Sequence, residues 1–351
     1  MNDKDYEAPN KGLSAEQKFA LFGVKQAQSY EFKVKYAEIR AWEFYNECSK
    51  RGMNCYVSVG GLDSITLLLF LRKIGINVPA VSVSSLEDKS IQRVHKELGV
   101  ESLKPAMSKV EVLREYGYPI ISKKIAQEIH TLQNPTEKNA RLRQTIFEGS
   151  DHDGGFSFKM PKKWIRKFGG ADPRGAALGY AAAPFKVSDK CCHFLKELPC
   201  LTYEKENNAA PFMGLMASEG GRREVMLKLN GCNYFGKTRS RGCPFAIFQR
   251  QDLLQLALDL NVPVPEIYGE IVRDPDGTLR TTGAPRTGCN MCGFGVHLEK
   301  RPHRFDKLYK ENPKEWHFWM IDQGWGEVLD YIGVEWRIQE EMNLDGNSAE
   351  G

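Results

Sequence analysis

Tyr56-Val57-Ser58-Val59-Gly60-Gly61-Leu62-Asp63-Ser64 leads directly into the apolar run from Ile65 to Leu71. Tyr56, Val57 and Val59 favour a pleated, buried surface, whereas Ile65, Leu67, Leu68, Leu69, Phe70 and Leu71 make a helix apolar around most of its circumference. The segment predicts strand, loop and buried helix. Its two glycines let the backbone turn sharply and approach a ligand, and Ser64 falls where a helix N-terminus offers N–H groups to an anion. Phosphate suits that position. Asp63 sharpens the expectation, because a carboxylate inside an anion-binding loop has a use if it meets a divalent cation such as Mg²⁺ carried by the phosphates. The plain alternative is that Gly60-Gly61 is only a tight strand-to-helix turn.

Working outward, the 351 residues suffice for one large core or two modest ones, and 41% hydrophobic with 27% charged residues is an ordinary globular composition. The apolar run is too short for a membrane span, and Met1 to Glu7 lacks a signal-peptide hydrophobic region, so a cytoplasmic protein with no membrane partner is expected. In that compartment the nine cysteines read as thiols or metal ligands rather than disulfides. A net charge of +4 does not by itself imply a nucleic acid, and the oligomeric state stays open, an oligomer included.

Ala20 to Lys50 reads as one packing helix, with Phe32, Tyr36, Ile39, Trp42 and Tyr45 at roughly helical spacing. After the loop, Val78 to Ser84 reads as a second strand and Glu87 to Leu98 as a second helix, which implies a parallel sheet. Ligands bind beyond the carboxyl ends of such strands, so Ser84, Ser85 and Glu87 are candidates for adenosine contacts, or, for the serines, plain helix caps. Helices are expected at Lys109 to Tyr116 and Lys123 to Leu132. From Asn134 to Lys186 periodicity weakens, and Lys159, Lys162, Lys163, Arg166, Lys167 and Arg174 interleave with Phe156, Phe158, Trp164 and Phe168. Such a pattern suits either a flexible insertion gripping an anionic or single-stranded nucleic-acid acceptor, or a solvated cap. Ala210 to Ser218 reads as a late strand delivering Arg222 and Arg223, planar donors suited to phosphate or sulfate, or to surface pairing with Glu219 or Glu224. Gln251 to Leu260 reads as a structural helix, and Asp274-Pro275-Asp276-Gly277 as the turn of a small hairpin.

Cys289-x-x-Cys292 turns two thiols toward a common centre, which fits a shared metal or a redox dithiol. Cys191-Cys192 lies well before it. Cys232 and Cys243 flank the basic segment Lys237 to Arg241 as substitute ligands or a reactive thiol, while Cys48, Cys55 and Cys200 read as buried or incidental.

The phosphate loop resembles the Ser-Gly-Gly-x-Asp-Ser loop of the adenine-nucleotide α-hydrolase superfamily, which includes ATP pyrophosphatases and the adenylyl-sulfate and phosphoadenylyl-sulfate (PAPS) reductases. Val59 replaces the first serine, with Ser58 adjacent. The Cys-Cys and Cys-x-x-Cys set, with Lys196 and Pro199 after the pair, resembles the adenylyl-sulfate reductases, and the segments 295–302 and 325–333 resemble a PAPS-reductase-like branch. The likeness runs from about residue 50 to about residue 335. It implies a Rossmann-like α/β parallel sheet with a cysteine-rich C-terminal subdomain. The implied layout is an N-terminal helical segment 1–50, a nucleotide domain 51–260 with the insertion 134–186, a cysteine-rich part 261–335 and an acidic tail 336–351. It implies further that Ser58, Gly60, Gly61, Asp63, Ser64, Ser84, Glu87 and Arg222 bind ATP or an adenylyl nucleotide with Mg²⁺. Asp63, Ser64 and Arg223 would be catalytic. Cys191, Cys192, Cys289 and Cys292 would hold a [4Fe–4S] cluster, with structural zinc as the alternative. No cysteine follows Cys292, so the C-terminal nucleophile of thioredoxin-dependent reductases is missing. The resemblance therefore points to adenylylation-coupled sulfur transfer. The alternatives are a reductase using Cys232 or Cys243, or a nucleotide-binding module without chemistry.

Overall fold

The computed structural model describes residues 12–149, 159–236, 238–289 and 292–338. Two helices open it: α1 (Ala15–Gln26), closed at its start by a Ser14–Gln17 capping box, and α2 (Tyr30–Lys50). Ser29 accepts a hydrogen bond from the Phe32 N–H and starts a new helix, which divides the single helix expected over 20–50. The buried face also differs from expectation. Ala37, Ala41, Phe44 and Cys48 face the core, whereas Phe32 and Ile39 are 44% and 46% exposed. Small residues at i and i+4 let the helix approach the sheet closely, and of the expected aromatics Tyr36, Trp42 and Tyr45 pack, half-buried, against the same core.

The glycine-loop segment forms strand β1 (Asn54–Ser58) and helix α3 (Leu62–Lys73), with Leu62, Ile65, Leu67, Leu68, Phe70 and Leu71 buried. Then come β2 (Ala80–Ser82), α4 (Lys89–Glu97) and the short β3 (Glu101–Ser102). After a long excursion the chain continues with α5 (Leu198–Glu206), β4 (Ala209–Met213), α6 (Gly221–Asn230), β5 (Asn233–Phe235), β6 (Ser240–Gly242) and α7 (Arg250–Asp259). A hairpin follows, β7 (Ile271–Arg273) and β8 (Leu279–Thr281), turning at Asp274–Gly277 as its turn residues predict.

The result is a mixed α/β architecture around a mostly parallel six-stranded sheet, ordered β3-β2-β1-β4-β6-β5, with β5 antiparallel at one edge. Val57 lies opposite Ala80 on one side of β1, and Asn54 to Ser58 pair with Ala209 to Met213 on the other. Strand order therefore reverses at β1, the place where open α/β sheets form a ligand crevice.

The chain divides into two compact units, residues 1–106 with 196–290, and residues 107–195 with 291–351. This division differs from the sequence layout. Residues 261–290 belong with the sheet, where Val262, Tyr268 and Leu279 join its core, and the C-terminal stretch shares a unit with 107–195 instead of forming a subdomain of its own. The acidic tail lies almost entirely outside the described residues.

In the second unit, Ile120–Ile121 pairs in parallel with Gly293–Phe294. Its core contains Ile129, Trp164, Phe168, Phe305 and Trp325. The stretch expected to be loop-rich carries helices Ala140–Glu148, Lys162–Phe168 and Pro173–Ala177. They are short, which is why a periodicity of several turns is missing there. Trp164 and Phe168 are core residues, not stacking platforms; Phe156 and Phe158 lie outside the described residues.

Candidate functional site

Between β1 and α3 the loop is held by its own side chain. Ser64 Oγ accepts from the Gly60 N–H (2.7 Å) and donates to the Gly61 carbonyl (2.9 Å), closing the turn at the N-terminus of α3. The Leu62 N–H, in the first helical turn where no intrahelical partner exists, donates to Tyr268 Oη at 3.2 Å, and that hydroxyl also bonds Thr287 Oγ1 at 2.8 Å. The fit explains the second glycine: a Cβ at Gly61 would stand 2.2 Å from Tyr268 Oη. Gly214, just after β4, is equally constrained, since its Cβ would meet the Asp63 carbonyl oxygen at 2.9 Å.

These elements wall a cleft of about 420 Å³ beyond the carboxyl ends of β1, β2 and β4. Of the residues expected from sequence, Ser58, Gly60, Gly61, Asp63, Ser64, Glu87 and Arg223 line it. Ser84 and Arg222 do not. Ser84 is buried in a short 3-10 turn, its hydroxyl 2.9 Å from His95 Nδ1, while His95 Nε2 lies 2.8 Å from the Gly60 carbonyl oxygen. Ser84 thus positions the imidazole that braces the loop. Arg222 and Arg223 sit in the first turn of α6, not in a strand-end turn, and a helix sends neighbouring side chains in different directions.

Four cations line the cleft, Lys196, Arg223, Arg250 and Arg286, with three carboxylates, Asp63, Glu87 and Glu219. All are paired. Arg250 Nη1 donates to Asp63 Oδ1 at 2.6 Å and Lys196 Nζ to Glu87 Oε1 at 2.6 Å. Arg223 and Arg286 share Glu219 Oε1, at 2.6 and 3.2 Å. Burial pushes the Asp63 carboxyl above its ordinary value against the pull of Arg250, and Glu219 adds to the rise. Burial pulls the Lys196 ammonium down, but Glu87 and then Cys289 outweigh it and hold the group above its ordinary value.

Lys196, Arg250, Tyr268, Arg286 and Thr287 were not anticipated as site residues. Lys196 was marked only by its place after Cys191-Cys192, and nothing local marks the others; Arg250 opens an ordinary helix and Tyr268 sits in a 3-10 turn. Cys200, expected to be incidental, also lines the cleft, its thiol beside Ser58 and Tyr56, with burial and then Glu204 pushing it up.

The other cysteines divide by burial. Cys232 and Cys243 are 5% and 0% exposed, and burial raises their thiols to about 11 and about 12. Burial at both positions disfavours the thiolate, the form in which a cysteine attacks. Cys191, Cys192, Cys289 and Cys292 are half-buried. Cys292 lies near enough to Cys192 for that thiol to raise it; burial is the larger cause, and the Phe294 N–H, Arg304 and Lys123 oppose it. Among the described residues, no three Cys, His, Asp or Glu side chains gather closely enough to hold a metal ion. Among those same residues, no helix is long and apolar enough to cross a membrane.

What the fold and the cleft define is a mixed α/β protein with a glycine loop and a helix N-terminus at the carboxyl edge of a mostly parallel sheet. No family model matches the chain, and no curated protein matches it. Among solved structures it is similar to the phosphoadenylyl-sulfate (PAPS) reductase of Candida auris, a phosphate complex, at 12% identity and a TM-score of 0.36, over 76% of this chain and 98% of that one. The fold and the site therefore stand on the chain's own geometry.

Proposed function

We propose that the cleft binds ATP or an adenylyl nucleotide by its phosphates, and that the protein is an enzyme of the ATP-pyrophosphatase and PAPS-reductase kind, acting at a nucleotide phosphate. One observation carries this reading: a Gly-Gly loop, a helix N-terminus and four cations converge at the point where strand order reverses. Asp63, Glu87 and Glu219 pair with the cations of the cleft. Asp63 would hold the Mg²⁺ carried by an arriving nucleotide, and the guanidiniums of Arg250, Arg223 and Arg286, so freed, would take phosphate oxygens. Arg223 and Arg286 then neutralise charge developing on departing pyrophosphate, while Ser64 and the first-turn N–H groups of α3 hold the loop against it. Tyr268, buried over Gly61, excludes water from that end.

The resemblance extends the proposal to a [4Fe–4S] cluster on Cys191, Cys192, Cys289 and Cys292. Lys196 lies beside Cys289 and Arg304 beside Cys292, cations that would favour the thiolate form at those two positions against the burial that raises Cys292. Such a cluster supplies electrons or sulfur when bound. Iron, sulfide and zinc analysis of protein purified without oxygen tests it: about four irons support the cluster, one zinc replaces it with a structural clamp, and no metal removes it.

For the nucleotide site, Asp63→Asn is expected to abolish pyrophosphate release from ATP while leaving the fold intact. Unchanged release would overturn the assignment of Asp63. Binding without any product in the wild-type protein would identify a nucleotide-binding module without chemistry, and sulfite release from an adenylyl sulfate would identify a reductase.

A further inference from the structure

We propose that the second unit carries its own binding site for a single-stranded nucleic acid, in a groove on helix Lys162–Phe168 and residues 174–180. The helix is two-faced. Trp164, Ile165 and Phe168 are buried, and Lys162 and Arg166, one turn apart, stand exposed on the other side. Like charges at i and i+4 repel, and a lysine at a helix N-terminus opposes the helix dipole, so this arrangement costs the isolated helix stability. Its neighbours do not relieve it. Among the described residues, Lys159, Lys162, Arg166 and Arg174 line one cavity of about 250 Å³ with a single carboxylate, Glu148, which accepts from Gln144 Nε2 at 2.7 Å. Among the described residues none of the four cations forms an ion pair.

The contrast with adjacent basic residues is sharp. Lys163 lies over the Trp164 ring, Lys167 donates to the Tyr331 carbonyl, and Arg143 is paired with the fully buried Asp172. Those cations serve the fold; the four in the groove do not.

The rest of the lining fixes the class of ligand. Leu178, 63% exposed, and the half-buried ring of Tyr180 form an apolar wall beside the cations. Its frame is rigid: the Ala181 N–H donates to the Arg166 carbonyl, the Gly170 N–H to the Ala181 carbonyl, and a Cβ at Gly170 would meet the Tyr180 carbonyl oxygen at 2.1 Å. Several cations around one cavity suit a polyanion better than one phosphate, and an apolar and aromatic wall among them suits the face of an unstacked base. The volume accepts about one base, with the phosphates on either side of it spanning the cations.

The test is fluorescence anisotropy of the full chain with a labelled 12-nucleotide single-stranded RNA of mixed sequence, over a range of salt. Binding is expected, with log K falling by about 0.7 per decade of salt for each contacted phosphate. Lys162→Ala/Arg166→Ala/Arg174→Ala should weaken it more than about tenfold and flatten the salt slope by about 2, the sum of three such contacts. Tyr180→Ala should weaken it about fivefold or more, the lower end of a base-stacking contact, with the slope unchanged. Should Tyr180→Ala unfold, Tyr180→Leu keeps the bulk and removes the aromatic face. The proposal is overturned if wild-type protein does not bind, or if the triple variant binds as wild type. It is also overturned if binding is lost in Arg223→Ala/Arg286→Ala instead, or if inorganic polyphosphate competes equally and both Tyr180 variants bind normally, since that is a polyanion surface without a base site.

Discussion

Gly61→Ala should cost about 1–3 kcal/mol, the usual penalty for forcing a methyl group into a filled space, and should cost far less when made in a Tyr268→Phe background. At Gly61 φ is −80° and ψ −164°, a backbone that alanine adopts freely, so the penalty is steric rather than conformational. The added Cβ would stand 2.2 Å from Tyr268 Oη, 3.2 Å from Thr287 Oγ1 and 3.5 Å from Tyr268 Cζ. Only the hydroxyl is in true conflict. Tyr268 is 3% exposed and its ring is packed in the core, so it moves only at the expense of that packing. Tyr268→Phe alone strips the Leu62 N–H and Thr287 of a partner and should cost about 1–3 kcal/mol. In the double variant the nearest ring atom is at ordinary contact distance, and the clash is gone. The two single costs should therefore overshoot the double by about 1–2 kcal/mol, a coupling expected of residues in direct contact. Urea unfolding of the four proteins gives the cycle, and calorimetric titration with ATP on each reports the cleft. Additive free energies, or a Gly61→Ala protein as stable as wild type, would refute the contact and with it the placement of Tyr268 over the loop.

Gly214→Ala brings a Cβ against the backbone of Asp63 and Ser64, at 2.9 to 3.1 Å, where no side chain can give way; reduced stability and reduced nucleotide affinity together are expected from unfolding and titration. Burial holds the His95 imidazole below its ordinary value, with the Gly60 carbonyl opposing. The unfolded chain then takes up a proton near pH 6.5 that the fold resists, so stability should fall as pH drops from about 7 toward 5, and His95→Gln should flatten part of that fall in urea unfolding at each pH. Lys33→Met leaves Asp252 buried without its partner at 2.8 Å and should cost about 3–5 kcal/mol, with Lys33→Met/Asp252→Leu recovering much of it.

The loop was legible because strand, glycine turn, N-terminal serine and apolar helix are consecutive and each carries its own chemistry. The walls of the cleft were not. Lys196, Arg250, Tyr268 and Arg286 acquire meaning only when the sheet brings β1 and β4 together, and no window of sequence contains that pairing. In helix α2 the spacing was legible in part: Tyr36, Trp42 and Tyr45 pack on the core as expected, but its fully buried face is built on the smaller Ala37 and Ala41, and Phe32 and Ile39 are left exposed. The basic stretch after residue 158 was legible in composition but not in use, since only packing separates Lys163 and Lys167, committed to Trp164 and Tyr331, from the cations of the groove.

The pairing of β1 also bears on how the chain is made. During synthesis β1 can join β2 soon after both emerge, but its other edge, from Asn54 to Ser58, waits for Ala209 to Met213 while the whole excursion from 107 to 195 is translated. An apolar strand with one open edge is a template for wrong pairing, and contacts so distant in sequence form slowly. The nascent protein therefore passes through a long interval in which its glycine loop is already translated but the sheet that frames it is half built, and a truncation before β4 is expected to leave an aggregation-prone fragment rather than a smaller domain.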